Sequence, residues 1–414
     1  MSEFINNSFL RKEKIKEAIR QIHEGKPYEQ VKNLFAEILN QASAAEIAEV
    51  EQTLIAEGLP VEDIQYLCDV HVAMFRESLD QQVPPEMKPG HPIYTYRAEN
   101  ELANLALENV KMLLFQYKQN PTSENRKNLI ESIGKLTEYE RHYERKENLL
   151  FPYLERYGFS GPSSVMWGIH DDIRKAWKQI TQILESDQPD SLELAEKLEK
   201  VFEPMEIAIR EMFYKEEHIL LPNALERLTE EDWRAIHSQE DEYGFSFVTR
   251  GNEWPPEEKQ KPQEEVKMMQ SSPAERTSSM NDFPLTHGDL SIMQIDMMLR
   301  TLPVDLTFVD ENDIVRYYSE TPDRIFKRSP AIIGRKVQNC HPPASVDKVI
   351  QILEDFRAGK RDVAEFWIQL GEKFIHIRYF AMRDSRGQYR GTLEVSQDVT
   401  AIRKLEGEKR LLDS

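Results

Sequence analysis

Apolar positions recur at helical spacing over the first 245 residues and then switch to the two-residue alternation of strands. Near the N-terminus, Ile15, Ala18, Ile19 and Ile22 form one turn-spaced set, and Val31, Leu34, Phe35, Ile38 and Leu39 form a second. A third helix is predicted from Ser43, a cap residue with Glu46 three positions on, up to the break at Gly58 and Pro60. A fourth runs through Ile64, Leu67, Cys68, His71, Val72 and Phe75, and the proline-rich joint QQVPPEMKPGHP closes this block.

Four longer helices follow. The first opens at His91 and Pro92, a residue suited to the first helical position, with the stripe Leu102, Leu105, Ala106, Met112 and Leu113, Glu99 on its edge and Asn109 inside. The second carries Leu129, Ile133, Leu136, Tyr143 and Leu150, with Glu140 and Glu147 on the stripe and His142 on its flank. The third carries Met166, Ile169, Ile173, Trp177 and Ile180, with His170 on the inner edge. The fourth carries Leu198, Val201, Phe202, Met205, Ile209, Met212 and Phe213, and Glu216 falls at the centre of that stripe while His218 points away to solvent. A carboxylate aimed into a core needs a cation, a donor network or a proton, and a metal ion is one solution. Two of the helices end alike, in HYERKENLLFP and MFYKEEHILLP, each stopped by a proline.

From His91 to Tyr243 these features resemble the hemerythrin/HHE cation-binding domain, whose helices offer a Glu-His pair, a His ahead of Glu-Glu and Leu-Phe-Pro, a His in the third helix, and a second Glu-Glu-Leu-Phe-Pro segment. The resemblance implies His142, His170 and Glu216 as metal ligands, with Glu99 and His91 matching the first-helix segment and Glu147 the carboxylate beside the proline. Asn100 stands where His is usual, Lys146 where the first bridging Glu is usual, and Met212 where the last helix has His. The resemblance implies non-haem iron, in a mononuclear or dinuclear site; imidazoles with carboxylates equally suit zinc or manganese. Two further readings stay open. Haem could be held by histidines among His71, His142, His170 and His341, or no cofactor binds and Lys146 neutralises Glu147 or Glu216 in a polar core. Cys68 and His71, three apart on one helical face, are candidate cofactor contacts. The N-terminal block resembles an uncharacterised helical domain that precedes hemerythrin-like domains in bacterial proteins.

After a linker rich in Pro, Glu, Gln and Ser, Val304, Leu306 and Phe308 alternate up to a turn at Asp310 to Asp313, and Val315 and Tyr317 return as the second strand of a hairpin. A helix from Ser345 to Gly359 and three strands, AEFWIQL, KFIHIRYFAMRD and YRGTLEVSQDV, complete a pattern that resembles a PAS sensory domain, as do IGRKV at Ile333 and the terminal Asp398-Val399-Thr400. His341, in NCHPP, is a candidate haem or metal contact, and His376 is a surface or cross-strand residue. In the tail, Ile402, Leu405 and Leu412 predict a short amphipathic helix suited to pairing with a second copy.

The chain of 414 residues has length for about three domains. Its net charge of -20 argues against nucleic acid as a partner, and no apolar run approaches a membrane span or a signal core. Two cysteines give no disulfide framework, and a cytoplasmic protein is predicted. No phosphate-binding glycine loop, Ser/His/Asp arrangement or acid–base pair is found outside the bundle, so the pattern leans away from an enzyme. A di-iron oxidase or repair activity is the enzymatic variant.

The expected organisation is multidomain: an all-α N-terminal domain at 1–82, a hemerythrin-like four-helix bundle at 90–245, a linker at 246–282, an α+β PAS domain at 283–400 and a C-terminal helix at 401–414. The expected function is a sensor or regulatory protein. Its partners are a metal ion, a diatomic or redox signal (oxygen, nitric oxide or iron supply) and a second copy through the PAS domain and C-terminal helix, with a metal-free PAS adaptor as the alternative.

Overall fold

The computed structural model describes residues 2–39, 44–59, 87–255, 283–284, 287, 289–321 and 324–407. The chain divides into two compact units, residues 1–257 and, but for Pro342–Ala344, residues 258–414.

The first unit is helical. Helices α1 (Ser2–His23), α2 (Tyr28–Leu39) and α3 (Ala44–Ala56) bury Ile15, Ala18, Ile19, Ile22 and Val31, as their spacing predicts, together with Ile47, Val50 and Leu54. The candidate pair Cys68 and His71, like the cap Ser43, lies outside the described residues. Helix α3 packs on the bundle at Gly161, where an added Cβ would lie 3.1 Å from Gln52. An ion pair between Arg227 and Glu49 at 3.3 Å adds to that contact.

Four rods form the bundle. The first is α4 (Pro92–Gln119). The second is α5 (Ser123–Thr137), a turn at Glu138 and Tyr139, then α6 (Glu140–Arg145), a π-turn (Lys146–Leu150) and α7 (Phe151–Arg156). The third is α8 (Gly161–Leu184), and the fourth is α9 (Leu192–Lys215), a π-turn (Glu216–Leu220) and α10 (Leu221–Arg227). A further helix, α11 (Glu230–Tyr243), opens with a full capping box between Thr229 and Asp232. Rod α4 packs on α5 and α9, and α8 packs on the same two, which closes a ring around one core.

Three features of this unit differ from expectation. Pro152 and Pro222 do not end their helices: each rod widens by one π-turn just before the proline and continues. Proline lacks an N–H and its ring crowds the carbonyl four residues back, and a local i→i+5 turn absorbs both problems. Helix α4 presents a different face from the one expected. Leu102, Leu105 and Met112 are exposed and Asn109 bonds Ser132 near the surface, while Tyr96, Ala103, Leu107, Val110, Leu114 and Tyr117 fill the core. Apolar residues populate two faces of α4, and only packing selects one. His218 is half-buried, its Nδ1 meeting the Tyr214 carbonyl at 3.0 Å and its ring stacked on Tyr214 at 4.1 Å.

The second unit is α+β. Five antiparallel strands, β3 (Asp305–Asp310), β4 (Val315–Tyr318), β5 (Val363–Leu370), β6 (Lys373–Arg383) and β7 (Tyr389–Asp398), lie in the order β4-β3-β7-β6-β5. Two short strands, β1 (Phe283–Pro284) and β2 (Asp289–Leu290), pair ahead of them. Helix α12 (Ile292–Thr301) precedes the sheet, and α13 (Pro343–Arg357) contributes Leu353 to a core with Val309, Val315, Ile332 and Val337. The hairpin turns where expected, with Asp310 Oδ1 accepting from the Asn312 and Ile314 amides and Asp313 at φ +67°. At Gly391 a Cβ would sit 2.2 Å from the Val309 carbonyl, so only glycine allows β3 and β7 to approach there. Asp398 accepts from the Thr400 amide and hydroxyl, and Thr400 Oγ1 accepts from the Phe374 amide at 2.7 Å, so the Asp-x-Thr sequence ties the end of β7 to β6. The tail differs from the expected helix: Ile402–Lys404 form one 3-10 turn, Ile402 and Leu405 are exposed, and Leu412 lies outside the described residues.

Candidate metal centre in the bundle

The site lies where the two π-turns begin. Lys146 and Glu147 open one and Glu216 opens the other, and all three are buried in the space between the helices. His142 and His170 are both 0% exposed. Tyrosine rings support each imidazole: Tyr139 stacks on His142 at 4.5 Å and Tyr143 on His170 at 4.1 Å.

A single chain of polar contacts joins these groups. Arg145 donates to both oxygens of Glu99, at 2.9 Å to Oε1, and to the Gly244 carbonyl at 2.7 Å. Glu99 Oε2 meets His142 Nδ1 at 2.8 Å, and His142 Nε2 meets Glu216 Oε2 at 2.9 Å. The other Glu216 oxygen accepts from Lys146, whose Nζ lies 3.1 Å from His170 Nε2. His170 Nδ1 meets Glu147 Oε1 at 2.7 Å, and Arg174 Nη2 donates to both Glu147 oxygens, at 2.9 and 2.8 Å, while its Nε donates to Glu140 at 2.7 Å. Asn100 donates to Glu216 at 3.0 Å and accepts from the Tyr139 hydroxyl. The Ser246 amide donates to Glu99 at 2.6 Å.

His142 lies between two carboxylate oxygens, Glu99 Oε2 on its Nδ1 side and Glu216 Oε2 on its Nε2 side. His170 donates through Nδ1 to Glu147 and accepts at Nε2 from the Lys146 ammonium, the pattern of a neutral ring. Burial, then Lys146 and Arg174, hold His170 well below the usual histidine range, which agrees with that pattern. Burial would raise Glu216, but Lys146 and His142 overcome it and bring the carboxyl down to about 2. Glu99 is likewise lowered, by Arg145 and His142 against the effect of burial. Burial pulls the Lys146 ammonium below the ordinary lysine value against the attraction of Glu216.

Of the expected ligands, Glu99, His142, Glu147, His170 and Glu216 thus converge, while His91 lies apart from them. His91 caps α4, its Nδ1 accepting from the Ile93 amide at 3.2 Å, and packs on Trp233 at 4.9 Å and Trp254 at 4.6 Å. Burial, with His237 and Arg97 nearby, lowers it to about 4. His341 lies in the second unit, on the wall of a cavity of about 20 Å³ with Tyr379, Thr392, Glu394, Val309 and Val349. That is space for roughly one water molecule rather than a macrocycle. Its Nδ1 meets the Val337 carbonyl at 2.8 Å. On β6, His376 reaches Glu365 of β5 at 2.6 Å, a cross-strand pair on the surface.

The residues do not fit a metal centre of the hemerythrin kind. All four ring nitrogens of His142 and His170 are engaged by protein partners, and every converging carboxylate already faces a side-chain cation. Among the described residues no three His, Cys, Asp or Glu side chains form a set that could hold a metal ion. Sequence reasoning missed Arg145 and Arg174. Arg145 stands three residues after His142 and Arg174 four after His170, so the signal was a cation on the same helical face as each imidazole.

The bundle and the five-stranded domain define a protein that couples a cation-binding type of helical fold to a sensory type of α+β fold. A family model for the hemerythrin HHE cation binding domain matches residues 97–224, one for a PAS domain matches 295–400, and one for a family of unknown function (DUF438) matches 15–81. The three matches fall in that order along the chain: the family of unknown function first, the HHE domain in the middle and the PAS domain last. Among solved structures it is similar to the C-terminal domain of a protein from Streptococcus mutans (36% identity, 31% of this chain and 100% of that one, TM-score 0.30). It is also similar to a PAS domain from Colwellia psychrerythraea (13% identity, 26% and 97%, TM-score 0.22) and to a sensory box sensor histidine kinase from Vibrio cholerae (12% identity, 26% and 90%, TM-score 0.21). No curated protein matches the chain. Among the described residues no helix is long and apolar enough to cross a membrane.

Proposed function

We propose that this chain is a cytoplasmic sensor or regulatory protein that passes its signal on by association of PAS domains, not by catalysis. The observation that carries the reading is strand β5. It is the edge of the sheet and bonds only to β6, yet it exposes Val363 (47%), Phe366 (38%), Trp367 (62%), Ile368 (37%) and Leu370 (45%) on both faces. A long apolar edge is a template for pairing with another chain, and soluble proteins rarely leave one uncovered. A second copy of the domain is the partner whose matching edge could cover it symmetrically. Light scattering on the full chain tests this: the wild type is expected as a dimer, and Trp367→Glu is expected to weaken association by at least about tenfold by burying a charge at the contact. A wild type that stays monomeric, or a Trp367→Glu dimer of undiminished affinity, would reject it.

A second reading is a non-haem iron sensor of oxygen, nitric oxide, redox state or iron supply. The convergence of His142, His170 and Glu216 supports it, and their prior engagement with protein partners weighs against it. Stoichiometric iron in anaerobically purified protein, lost in Glu216→Gln, is the result that would establish it.

A further inference from the structure

We infer that residues 244–255, the last described stretch before the second unit, form a strap that reads the state of the buried charge network by docking on the bundle or lifting from it. The inference rests on the reading of this chain as a sensor and supplies the step by which the bundle reaches the PAS domain. One end of the strap closes on the network itself. Arg145, while it holds both Glu99 oxygens, donates to the Gly244 carbonyl at 2.7 Å and lies 4.7 Å from the centre of the Phe245 ring. Ser246 is 0% exposed, its amide donating to Glu99 Oε1 at 2.6 Å and its hydroxyl to the Glu138 carbonyl at 2.9 Å. The Phe247 ring lies parallel to that of Tyr139, 6.3 Å between centres, and Tyr139 in turn stacks on His142.

The other end closes on the start of α4. The Glu253 and Trp254 amides donate to the Pro89 carbonyl at 2.9 and 3.0 Å, and the Trp254 ring packs on His91 at 4.6 Å and on His237 at 5.3 Å. A Cβ on Gly251 would lie 2.6 Å from Pro89, so this approach needs glycine. Between the two ends, Arg250 reaches the His237 carbonyl at 3.0 Å and Asp241 at 3.1 Å, both on α11.

Two features suit the segment to switching. Phe247 sits at φ +63°, in the left-handed region where a side chain crowds the backbone, so the docked form persists only while the contacts around it hold. Those contacts converge on one carboxylate–guanidinium pair, and disturbing Glu99 or Arg145 weakens the hold on Gly244, Phe245 and Ser246 together. Coupling of this kind is reciprocal: what loosens the network loosens the strap, and lifting the strap disturbs the network. Once lifted, residues 244–255 can extend to at most about 40 Å, which lengthens the tether to the second unit.

Hydrogen exchange followed by mass spectrometry on the full chain tests the coupling. In Glu99→Gln, peptides covering 245–254 are expected to exchange at least about tenfold faster than in the wild type, while those of α8 keep their protection. Unchanged exchange in the strap would overturn the proposal, as would strap and α8 loosening together, which would make the strap a passive part of the core. Gly251→Ala, which alters no side chain of the network, works from the other end and decides the matter if Glu99→Gln does not fold. It is expected to speed exchange over 245–249 as well as 250–254 and to shift the ring resonances of His142 in histidine-labelled protein. Loosening confined to 250–254, or His142 resonances that stay at their wild-type positions, would overturn the proposal. These readings lie within the first unit, so they stand or fall separately from the light-scattering test of PAS association.

Discussion

Replacing Arg145 with methionine is expected to cost about 3–5 kcal/mol of bundle stability, the usual penalty for breaking a buried charge pair from one side. Arg145 is fully buried and works in several directions at once. Its guanidinium forks onto both Glu99 oxygens and donates to the Gly244 carbonyl, and its charge lies 5.1 Å from the centre of the Tyr96 ring and 4.7 Å from that of Phe245. Methionine fills much of the same volume but leaves Glu99 with only His142 and the Ser246 amide as donors. The Gly244 carbonyl, just past the end of α11, loses that partner as well. Arg145→Lys is expected to recover only part of the loss, because one ammonium cannot reproduce the planar fork. Denaturant unfolding read by tryptophan fluorescence checks both. A Trp367→Phe background removes the one tryptophan outside the helical unit and isolates the bundle transition. A loss below about 1 kcal/mol for Arg145→Met would mean that Glu99 is held by other means.

Glu240 is expected to make the same unit lose stability as pH rises from weakly acid to weakly alkaline. Its carboxyl is 0% exposed, neither oxygen accepts a hydrogen bond from the protein, and the Arg145 Nε lies 3.7 Å away. Burial pushes its pKa up to about 8 against the attraction of Arg145, while Glu99 and Asp241 add to the rise and Arg250 opposes it. The sign follows from linkage. The unfolded chain releases this proton near 4.5 and the folded chain near 8, so between those values the folded state binds more protons and loses ground as pH increases. The accumulated effect is on the order of 3–5 kcal/mol by pH 8. Glu240→Gln removes the ionisation while keeping the shape, so it should match the wild type near pH 4.5 and be clearly more stable near pH 8. Part of the slope remains in the variant, because burial also pushes Glu147 up to about 8 against the attraction of Arg174. Denaturation midpoints across that range decide the matter: parallel curves for wild type and Glu240→Gln would show that Glu240 is already ionised in the folded protein.

The linear pattern of the chain determined a good deal about this protein. Period alone separated a helical front from a stranded back. The matching Leu-Phe-Pro and Leu-Leu-Pro endings of HYERKENLLFP and MFYKEEHILLP identified two matched rods, and the stripes through Met205, Ile209 and Met212 aimed Glu216 inward, where the structure has it fully buried. Those inferences hold because side-chain direction along a helix follows from local geometry at about 100° per residue. What folding in three dimensions decided was the pairing of the charges. The π-turns that begin at Lys146 and Glu216 and carry each rod past its proline are invisible to a count of 3.6 residues per turn. Helix α4 offered two apolar faces, and only the ring of neighbouring rods selected the one bearing Tyr96, Glu99 and Asn100. The partners Glu99 with Arg145, Lys146 with Glu216 and Arg174 with Glu147 lie 46, 70 and 27 positions apart. Whether such groups meet depends on the axial level at which separate rods pack, a quantity set by the whole core and written in no single stretch of it.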